Sequence, residues 1–151
     1  MKRLMSIDYG DARIGVALSD PMQIIASGYK TVLNDKNANE EVMKICVEKN
    51  VEALVVGIPF DQNSEIGEAA KKVLNFIRIL KNFLEKNEIS IPFYEQDERY
   101  TTMDALNSMK ELKIKRNKKK LVVDQIAAAN ILSDFMRSKK RTILELPKIS
   151  E

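Results

Sequence analysis

Apolar and polar residues alternate with a period of two at the start of the chain. Residues 2–9 and residues 13–19 both show this alternation, so each is predicted to form a strand. Only three residues, beginning with Gly10, separate them, and so short a connection predicts an antiparallel hairpin. In the first strand, Ser6 and Asp8 are expected on one face of the sheet and the odd-numbered residues on the other.

Farther along the chain, apolar runs typical of buried strands alternate with segments of helical spacing. Because three antiparallel strands come first, we predict an α/β protein whose mixed five-stranded sheet has three antiparallel strands and then parallel strands, with helices on both faces. The 151 residues suit one domain, and no repeat or boundary divides them, so residues 1–151 are expected to form a single domain. The further predicted elements are strands over residues 24–33, 53–57 and 89–94, helices over residues 38–50, 65–88 and 121–137, a helix capped by Thr101 or Thr102, and a short extension around Ile143.

The composition excludes several kinds of chemistry. The chain has no histidine, which excludes a serine–histidine–aspartate triad, cysteine–histidine catalysis and histidine-bound zinc. Cys46 is the one cysteine, so no internal disulfide can form, and its apolar neighbours predict a buried, unreactive thiol. Catalysis would therefore use carboxylates, hydroxyls, Lys, Arg or the backbone. Since carboxylates bind hard cations through oxygen, Mg²⁺ or Mn²⁺ is the expected class of cofactor.

Positive charge is concentrated in one stretch of the chain. Residues 110–120 contain seven basic residues and one acid, whereas the rest of the chain has 18 basic and 21 acidic residues. Such a local excess is typical of polyanion binding, so Lys118, Lys119 and Lys120 are candidate contacts to nucleic acid. The alternative is a lysine-rich loop that only keeps the chain soluble. In either case residues 113–120 are expected to be mobile.

No segment of the sequence resembles a signal peptide or a membrane span. Asp8 interrupts the apolar stretch at the N-terminus, and no stretch approaches the ~20 apolar residues of a membrane-spanning helix. We therefore expect a cytoplasmic protein that has no membrane partner.

Acidic residues fall where a sheet of this kind builds its sites. Asp8 ends the first strand, and Asp124 is expected to open the last helix. Asp97 and Glu98 follow the fifth strand in a predicted loop, where strand parity cannot choose between them. Open α/β sheets bind ligands beyond the carboxyl ends of their strands, and acids gathered there would repel one another unless a divalent cation lay between them. The alternative is that the acids interact only with helix dipoles.

Small residues lie close in sequence to Asp8 and to Asp124. Gly10 and Gly15 flank the hairpin after Asp8, where the lack of a side chain would let a phosphate backbone approach. Residues 127–129 are three alanines, about one turn after Asp124. They would allow the last helix to lie close to the sheet and bring Asp124 inward.

Four motifs in chain order resemble the YqgF/RuvX family of the ribonuclease H-like superfamily. Together they extend from residue 7 to residue 132, and four motifs in the right order make a far more specific signal than any one of them. The motifs are IDYGDARIGVALSD at residues 7–20, VGIP at residues 56–59, DERYTT at residues 97–102 and DQIAAANIL at residues 124–132.

The resemblance implies a ribonuclease H-like fold and a metal-dependent nuclease. Members of the family are described as Holliday junction resolvases and as nucleases that trim the precursor of small-subunit ribosomal RNA during ribosome biogenesis. The motif match implies Asp8, Glu98 and Asp124 as the catalytic acids, which would hold two Mg²⁺ or Mn²⁺ ions. Asp97 is the competing choice at the second position. The implied partner is nucleic acid, either precursor rRNA or branched DNA.

Two arginines within these motifs, Arg13 and Arg99, would contact substrate phosphates, and the alternative for each is a salt bridge to a neighbouring acid. Without metal, crowding should raise the pKa of at least one of the three acids. Two other functions are weighed against the nuclease. An actin-like phosphotransferase would need two such lobes and a longer chain. A non-catalytic nucleic-acid-binding module of the same fold would show no metal-dependent cleavage.

Overall fold

The structure is a computed structural model that describes residues 2–63, 65–98, 116–138 and 141–144, with the backbone alone for residues 116–121. Within these residues, one sheet of six strands is flanked by three helices. The strands are β1 (Arg3–Asp8), β2 (Arg13–Ser19), β3 (Ala26–Leu33), β4 (Val51–Ile58), β5 (Phe93–Asp97) and β6 (Thr142–Ile143), and the helices are α1 (Ala38–Glu48), α2 (Glu68–Lys86) and α3 (Arg116–Arg137).

The strand order across the sheet is β3-β2-β1-β4-β5-β6. The first three strands form antiparallel pairs, whereas β4 runs parallel to β1 and β5 runs parallel to β4. The predicted α/β class and the order of antiparallel and then parallel strands are confirmed. The prediction of five strands is wrong, because β6 adds a sixth strand antiparallel to β5. A strand of two residues is too short to show a periodic pattern in the sequence.

Helices cover both faces of the sheet, as predicted. Met5 and Ile7 of β1 point into a core shared with α1 and α2, whereas Leu4 points into a second core beneath α3. The alternation predicted for the first strand is therefore confirmed. Ser6 also faces α3, and its hydroxyl donates a 2.6 Å hydrogen bond to the carbonyl oxygen of Ala128. This bond fastens β1 to α3.

Two further features of the fold are the environment of Cys46 and the character of the helices. Cys46 is buried in the core of α1, and burial raises the pKa of its thiol to about 12, as expected for an unreactive cysteine. In the part of the chain that the structure describes, no helix has the length and apolar character needed to cross a membrane.

The fifth strand lies later in the chain than predicted. A strand was expected over residues 89–94, but β5 begins at Phe93 and continues through Asp97. Its last three residues are polar, which favours a loop by composition, yet they pair with β4 as far as Ile58. Pairing with a neighbouring strand overrides local propensity here, so strand parity still applies at Asp97.

The last helix begins earlier than predicted. It starts at Arg116 rather than at residue 121, so the lysines at residues 118–120 belong to the helix and not to a separate loop. Lys and Arg favour helices almost as strongly as Leu does, so clustered positive charge does not exclude a helix. Asp124 consequently lies in the third turn, beyond the reach of a first-turn interaction with the helix dipole. The rest of the predicted basic segment, residues 113–115, lies outside the described residues.

Candidate active site

The three acids of the motif match line one cleft at the carboxyl ends of the central strands. Asp8 is the last residue of β1, Glu98 follows β5 directly, and Asp124 lies on α3. Because β1, β4 and β5 are parallel, β1 and β5 end at the same edge of the sheet. The cleft has a volume of about 480 Å³, and Tyr9 and Lys72 line it together with the three acids.

The register of β5 directs Glu98, rather than Asp97, to the face of the sheet that carries Asp8. Asp97 is paired with Ile58, which points into the core under α1 and α2, and paired residues share a face. The backbone N–H of Glu98 donates to the carbonyl oxygen of Ile58 at 3.3 Å and extends the pairing by one residue. Glu98 therefore turns to the opposite face, beneath α3.

Gly57 provides the space that Glu98 occupies. A Cβ atom added to Gly57 would lie 2.7 Å from Oε2 of Glu98 and 2.5 Å from Cδ1 of Ile131 on α3. Both distances are shorter than van der Waals contact, so a side chain here would displace Glu98, Ile131 or both. Sequence reasoning misses this role, although a glycine at the end of an apolar strand is a signal for the close approach of another group.

The side chains of Asp8 and Glu98 are hydrogen-bonded to each other, and both have raised pKa values. Burial, together with the charge and hydrogen bond of Asp8 and the charge of Asp97, raises the pKa of Glu98 to about 9. The pKa of Asp8 is raised to about 6, mainly by burial. The hydrogen bond from Glu98 acts to lower this pKa, and the charge of Asp124 acts to raise it. At neutral pH, Glu98 is thus protonated and donates a hydrogen bond to the Asp8 carboxylate. A raised pKa is what crowded acids were expected to show.

Asp124 is paired with Arg13. Nε of Arg13 donates to Oδ2 of Asp124 at 2.9 Å, and the two side chains are 31% and 20% exposed. Burial raises the pKa of Asp124, while the hydrogen bond and the charge of Arg13 act to lower it. The salt bridge considered as the alternative for Arg13 is therefore present, and it connects Arg13 directly to one of the predicted site acids.

The approach of α3 to the sheet explains Gly15. A Cβ atom on Gly15 would lie 2.0 Å from the backbone carbonyl oxygen of Asp124, so β2 needs a glycine under the helix. A Cβ atom on Gly10 would lie 2.5 Å from the carbonyl oxygen of Arg13, inside the hairpin turn. The expectation that these glycines leave room for a phosphate backbone is wrong, because α3 and the turn fill that space. The prediction that α3 lies close to the sheet is confirmed.

The donor set of the cleft fits a hard divalent cation. Asp8, Glu98 and Asp124 all offer carboxylate oxygens, which are the donors that such cations prefer. Among the residues that the structure describes, however, no three acidic side chains stand in an arrangement that could hold a metal ion. Asp8 and Glu98 form a pair, and Asp124 lies against Arg13.

Arg99 lies outside the described residues, and so do Thr101 and Thr102, the candidate caps of a predicted helix. Lys118, Lys119 and Lys120 lie in α3, within the two turns that precede Asp124.

The structure also adds Lys72 of α2 to the cleft. Nζ of Lys72 lies 3.3 Å from Oδ2 of Asp11 at the rim. No signal in the sequence separates Lys72 from the other lysines of α2.

The sequence matches a protein family and individual proteins over nearly the same part of the chain. A sequence model of the family RuvX, described as Holliday junction resolvase, matches residues 2–138. Proteins with the name "Putative pre-16S rRNA nuclease" are similar over nearly the whole chain. The one from Clostridium tetani is 41% identical over 138 residues (90% of this chain, 96% of that protein), and the one from Clostridium novyi is 38% identical over 138 residues (90% and 98%).

Solved structures of resolvases share the fold. T. thermophilus RuvC in complex with Holliday junction substrate aligns with a TM-score of 0.55 and 18% identity, over 95% of this chain and all of that one. The fowlpox virus Holliday junction resolvase aligns with a TM-score of 0.50 and 15% identity, over 89% and 96% of the two chains. At such low identity the likeness establishes the fold alone, which this chain shares with RuvC.

Proposed function

The chain belongs to the RuvX family of Holliday junction resolvases, and from this premise we propose a metal-dependent nuclease that uses Asp8, Glu98 and Asp124 as metal ligands. The observation that best supports the proposal is the convergence of these acids, from three distant parts of the chain, on one cleft. Two of them, Asp8 and Glu98, are half-buried side by side with raised pKa values, which is typical of functional sites.

The side chains of the cleft suit this chemistry. A divalent cation bound there would supply the positive charge that activates water and stabilises the leaving oxygen of a phosphodiester, and two such ions suit three carboxylates. Glu98 would give up its proton when the cation binds, and both oxygens of its carboxylate would become acceptors. No histidine is needed for this chemistry, which agrees with a chain that contains none.

Positively charged residues would bind the substrate. We assign phosphate contacts to Arg13, beside Asp124, and to the lysines at residues 118–120 of α3, which precede Asp124 on the same helix. Arg99 directly follows Glu98 in sequence and has the same proposed role. Since the site combines residues from both ends of the chain, we propose one nuclease domain over residues 1–151, active in the cytoplasm.

Two substrate classes follow from the similar proteins. The names of the relatives point to the precursor of 16S rRNA, for which we propose trimming of the 5′ end, and the family description points to branched DNA. The test is a cleavage panel with a 5′-extended 16S rRNA fragment, a four-way DNA junction, duplex DNA and single-stranded RNA. Each substrate is incubated with the parent protein or Asp8→Asn, in Mn²⁺ or in EDTA.

The proposal predicts cleavage of at least one substrate by the parent protein in Mn²⁺ only, and no cleavage by Asp8→Asn. The substrate that is cut fastest identifies the class. Binding of nucleic acid without cleavage under any condition would instead support the non-catalytic binding module. Cleavage that persists in EDTA, or that Asp8→Asn retains, would contradict the assignment of Asp8.

A further inference from the structure

The ion pair between Arg13 and Asp124 is held by two fixed backbones. Arg13 opens β2 and is paired with Leu33 of β3, so its main chain belongs to the sheet. The backbone carbonyl of Asp124 lies against Gly15, where not even a methyl group would fit. Rotation of the two side chains, which are 31% and 20% exposed, is therefore the simplest way to separate the pair.

Asp124 already has a positively charged partner in this arrangement. The guanidinium of Arg13 compensates the charge of Asp124 and is covalently attached beside the site. A cation that takes Asp124 as a ligand therefore has to displace the guanidinium from Oδ2.

We propose that Arg13 is the resident counter-ion of Asp124, competes with the divalent metal for that carboxylate, and transfers to a phosphate group of the substrate when the metal binds. This inference rests on the proposed function. The planar guanidinium of arginine is suited to such an exchange, because it forms the same kind of hydrogen-bonded pair with a phosphate as with a carboxylate.

The exchange couples metal and substrate. While Arg13 is bound to Asp124, both the metal site and the phosphate contact are incomplete. A metal that displaces Arg13 frees it for phosphate, and a phosphate that draws Arg13 away frees Asp124 for metal, so each ligand strengthens binding of the other. Unproductive metal binding without substrate would be reduced by the same competition.

A purely structural role for Arg13 makes the opposite prediction. If the ion pair oriented Asp124 for metal binding, loss of Arg13 would weaken metal affinity. If Arg13 competes with the metal, its loss should strengthen metal affinity. The sign of the change therefore separates the two roles, and measurement of binding without nucleic acid requires no catalytic turnover.

The experiment is calorimetric titration of Mn²⁺ into the parent protein, Arg13→Gln and Lys72→Gln. Lys72→Gln is the matched control, because it also removes one positive charge, from a lysine that lines the cleft but pairs with Asp11 and not with Asp124. We expect Arg13→Gln to bind Mn²⁺ up to about fivefold tighter, the effect of removing one partly exposed ion pair. Lys72→Gln should change the affinity much less.

Every outcome bears on the proposal. Equal or weaker Mn²⁺ binding by Arg13→Gln overturns the competition, and so does an equal gain in Lys72→Gln, which would reflect net charge alone. In both cases the metal site itself stands. If none of the three proteins binds Mn²⁺, the metal-dependent nuclease is contradicted, and the role of Arg13 with it.

A second measurement uses the parent protein and does not depend on the folding of Arg13→Gln. The Nε–H group of Arg13 gives its own signal in a nitrogen–proton NMR spectrum, and Arg13→Lys identifies it. Saturating Mg²⁺ should move this signal toward the position of an unpaired arginine as the guanidinium leaves Asp124. A signal unchanged by Mg²⁺, while signals of residues near Asp8 shift, would overturn the displacement.

Discussion

At the scale of single residues, two glycines determine where two of the acids stand. Gly57 leaves the space filled by the carboxylate of Glu98, and Gly15 leaves the space filled by the backbone of Asp124. A hypothetical methyl group would overlap the side chain of Glu98 in the first case and the backbone of Asp124 in the second. These glycines are therefore needed for the arrangement of the acids and not for an unusual backbone conformation, since neither has a positive φ angle.

Replacing Gly57 with alanine tests this role. The added methyl group overlaps both Glu98 and Ile131, so Gly57→Ala should lower the free energy of unfolding by about 1–3 kcal/mol and also lower metal-dependent cleavage. The matched variant is Gly57→Ala with Ile131→Val, which removes the Cδ1 atom that the methyl group meets. Urea denaturation and cleavage in Mn²⁺ measure the two effects.

The double variant should regain part of the stability but little of the cleavage, because the overlap with Glu98 remains. Full recovery of cleavage would show that Gly57 acts on packing under α3 and not on the position of Glu98.

At the scale of elements, the starts and ends of helices and strands differ in how well the sequence predicts them. The bounds of β2 were predictable because a clean alternation ends at Asp20, and the start of α1 was predictable at Ala38. The shift of β5 was not, because its polar residues are held in the sheet by β4. The face of the sheet to which Glu98 points follows from the pairing of β5 with β4, which the sequence does not show. The sequence alone therefore leaves Asp97 and Glu98 as alternatives.

The first turns of α3 offer a test of nucleic-acid binding. Alanine is the best helix former, so changing Lys118, Lys119 and Lys120 together to alanine should leave the helix intact while it removes positive charge. Affinity should fall for all sequences alike, and the dependence on salt should flatten by up to about 0.9 for each phosphate of duplex DNA that the variant no longer neutralises. The matched control is alanine at three lysines that do not line the cleft, namely Lys44, Lys81 and Lys86.

Fluorescence anisotropy over a range of salt concentrations measures both quantities. If the triple variant and the control lose affinity equally, the lysines of α3 contribute only to net charge.

The start of α2 offers a test of local stability. Gly67 caps this helix without a side-chain hydrogen bond, its backbone is extended, and the nearest atom to an added Cβ lies 3.9 Å away. A serine there could accept a hydrogen bond from a free backbone N–H of the first turn. Gly67→Ser should therefore raise the free energy of unfolding by a few tenths of a kcal/mol. Gly67→Ala, which adds the Cβ without the hydroxyl, is the control and should not stabilise.

At the scale of the whole molecule, the acid pair of Asp8 and Glu98 makes the free energy of unfolding depend on pH. The pKa values of Asp8 and Glu98 are raised in the folded chain to about 6 and about 9, so the fold holds protons more tightly than the unfolded chain. This stabilisation is complete below the unfolded pKa values near ~4 and is lost as pH rises through the folded values. In EDTA, thermal stability should therefore decline between about pH 4 and pH 9.

Glu98→Gln should remove much of this decline. A glutamine can donate the same hydrogen bond to Asp8 that protonated Glu98 donates, but it has no proton to lose. Melting curves at pH 5 and pH 8 in EDTA compare the two proteins, and at pH 8 the variant should be the more stable. An equal decline in both would mean that other groups dominate the pH dependence.

Metal should reverse the instability at neutral pH. Mn²⁺ several-fold above its dissociation constant should stabilise the parent protein by on the order of 1 kcal/mol. Asp8→Asn should melt higher than the parent protein in EDTA, because one of the crowded charges is gone, and should gain little from Mn²⁺. Thermal unfolding of both proteins with and without Mn²⁺ decides this. A lower melting temperature of Asp8→Asn in EDTA, with no metal effect on either protein, would indicate a structural role for Asp8.

The assignment of Asp8, Glu98 and Asp124 as metal ligands is tested most directly by the cleavage activity of four single variants. Each is measured in Mn²⁺ on the substrate that the cleavage panel identifies. Asp8→Asn, Glu98→Gln and Asp124→Asn each remove one proposed metal ligand, and Asp97→Asn is the matched control from the other face of β5. The first three variants should fold but have no detectable cleavage, and Asp97→Asn should retain cleavage. Cleavage at the parent rate by any of the first three, or loss of cleavage in Asp97→Asn with Glu98→Gln active, would contradict the assignment.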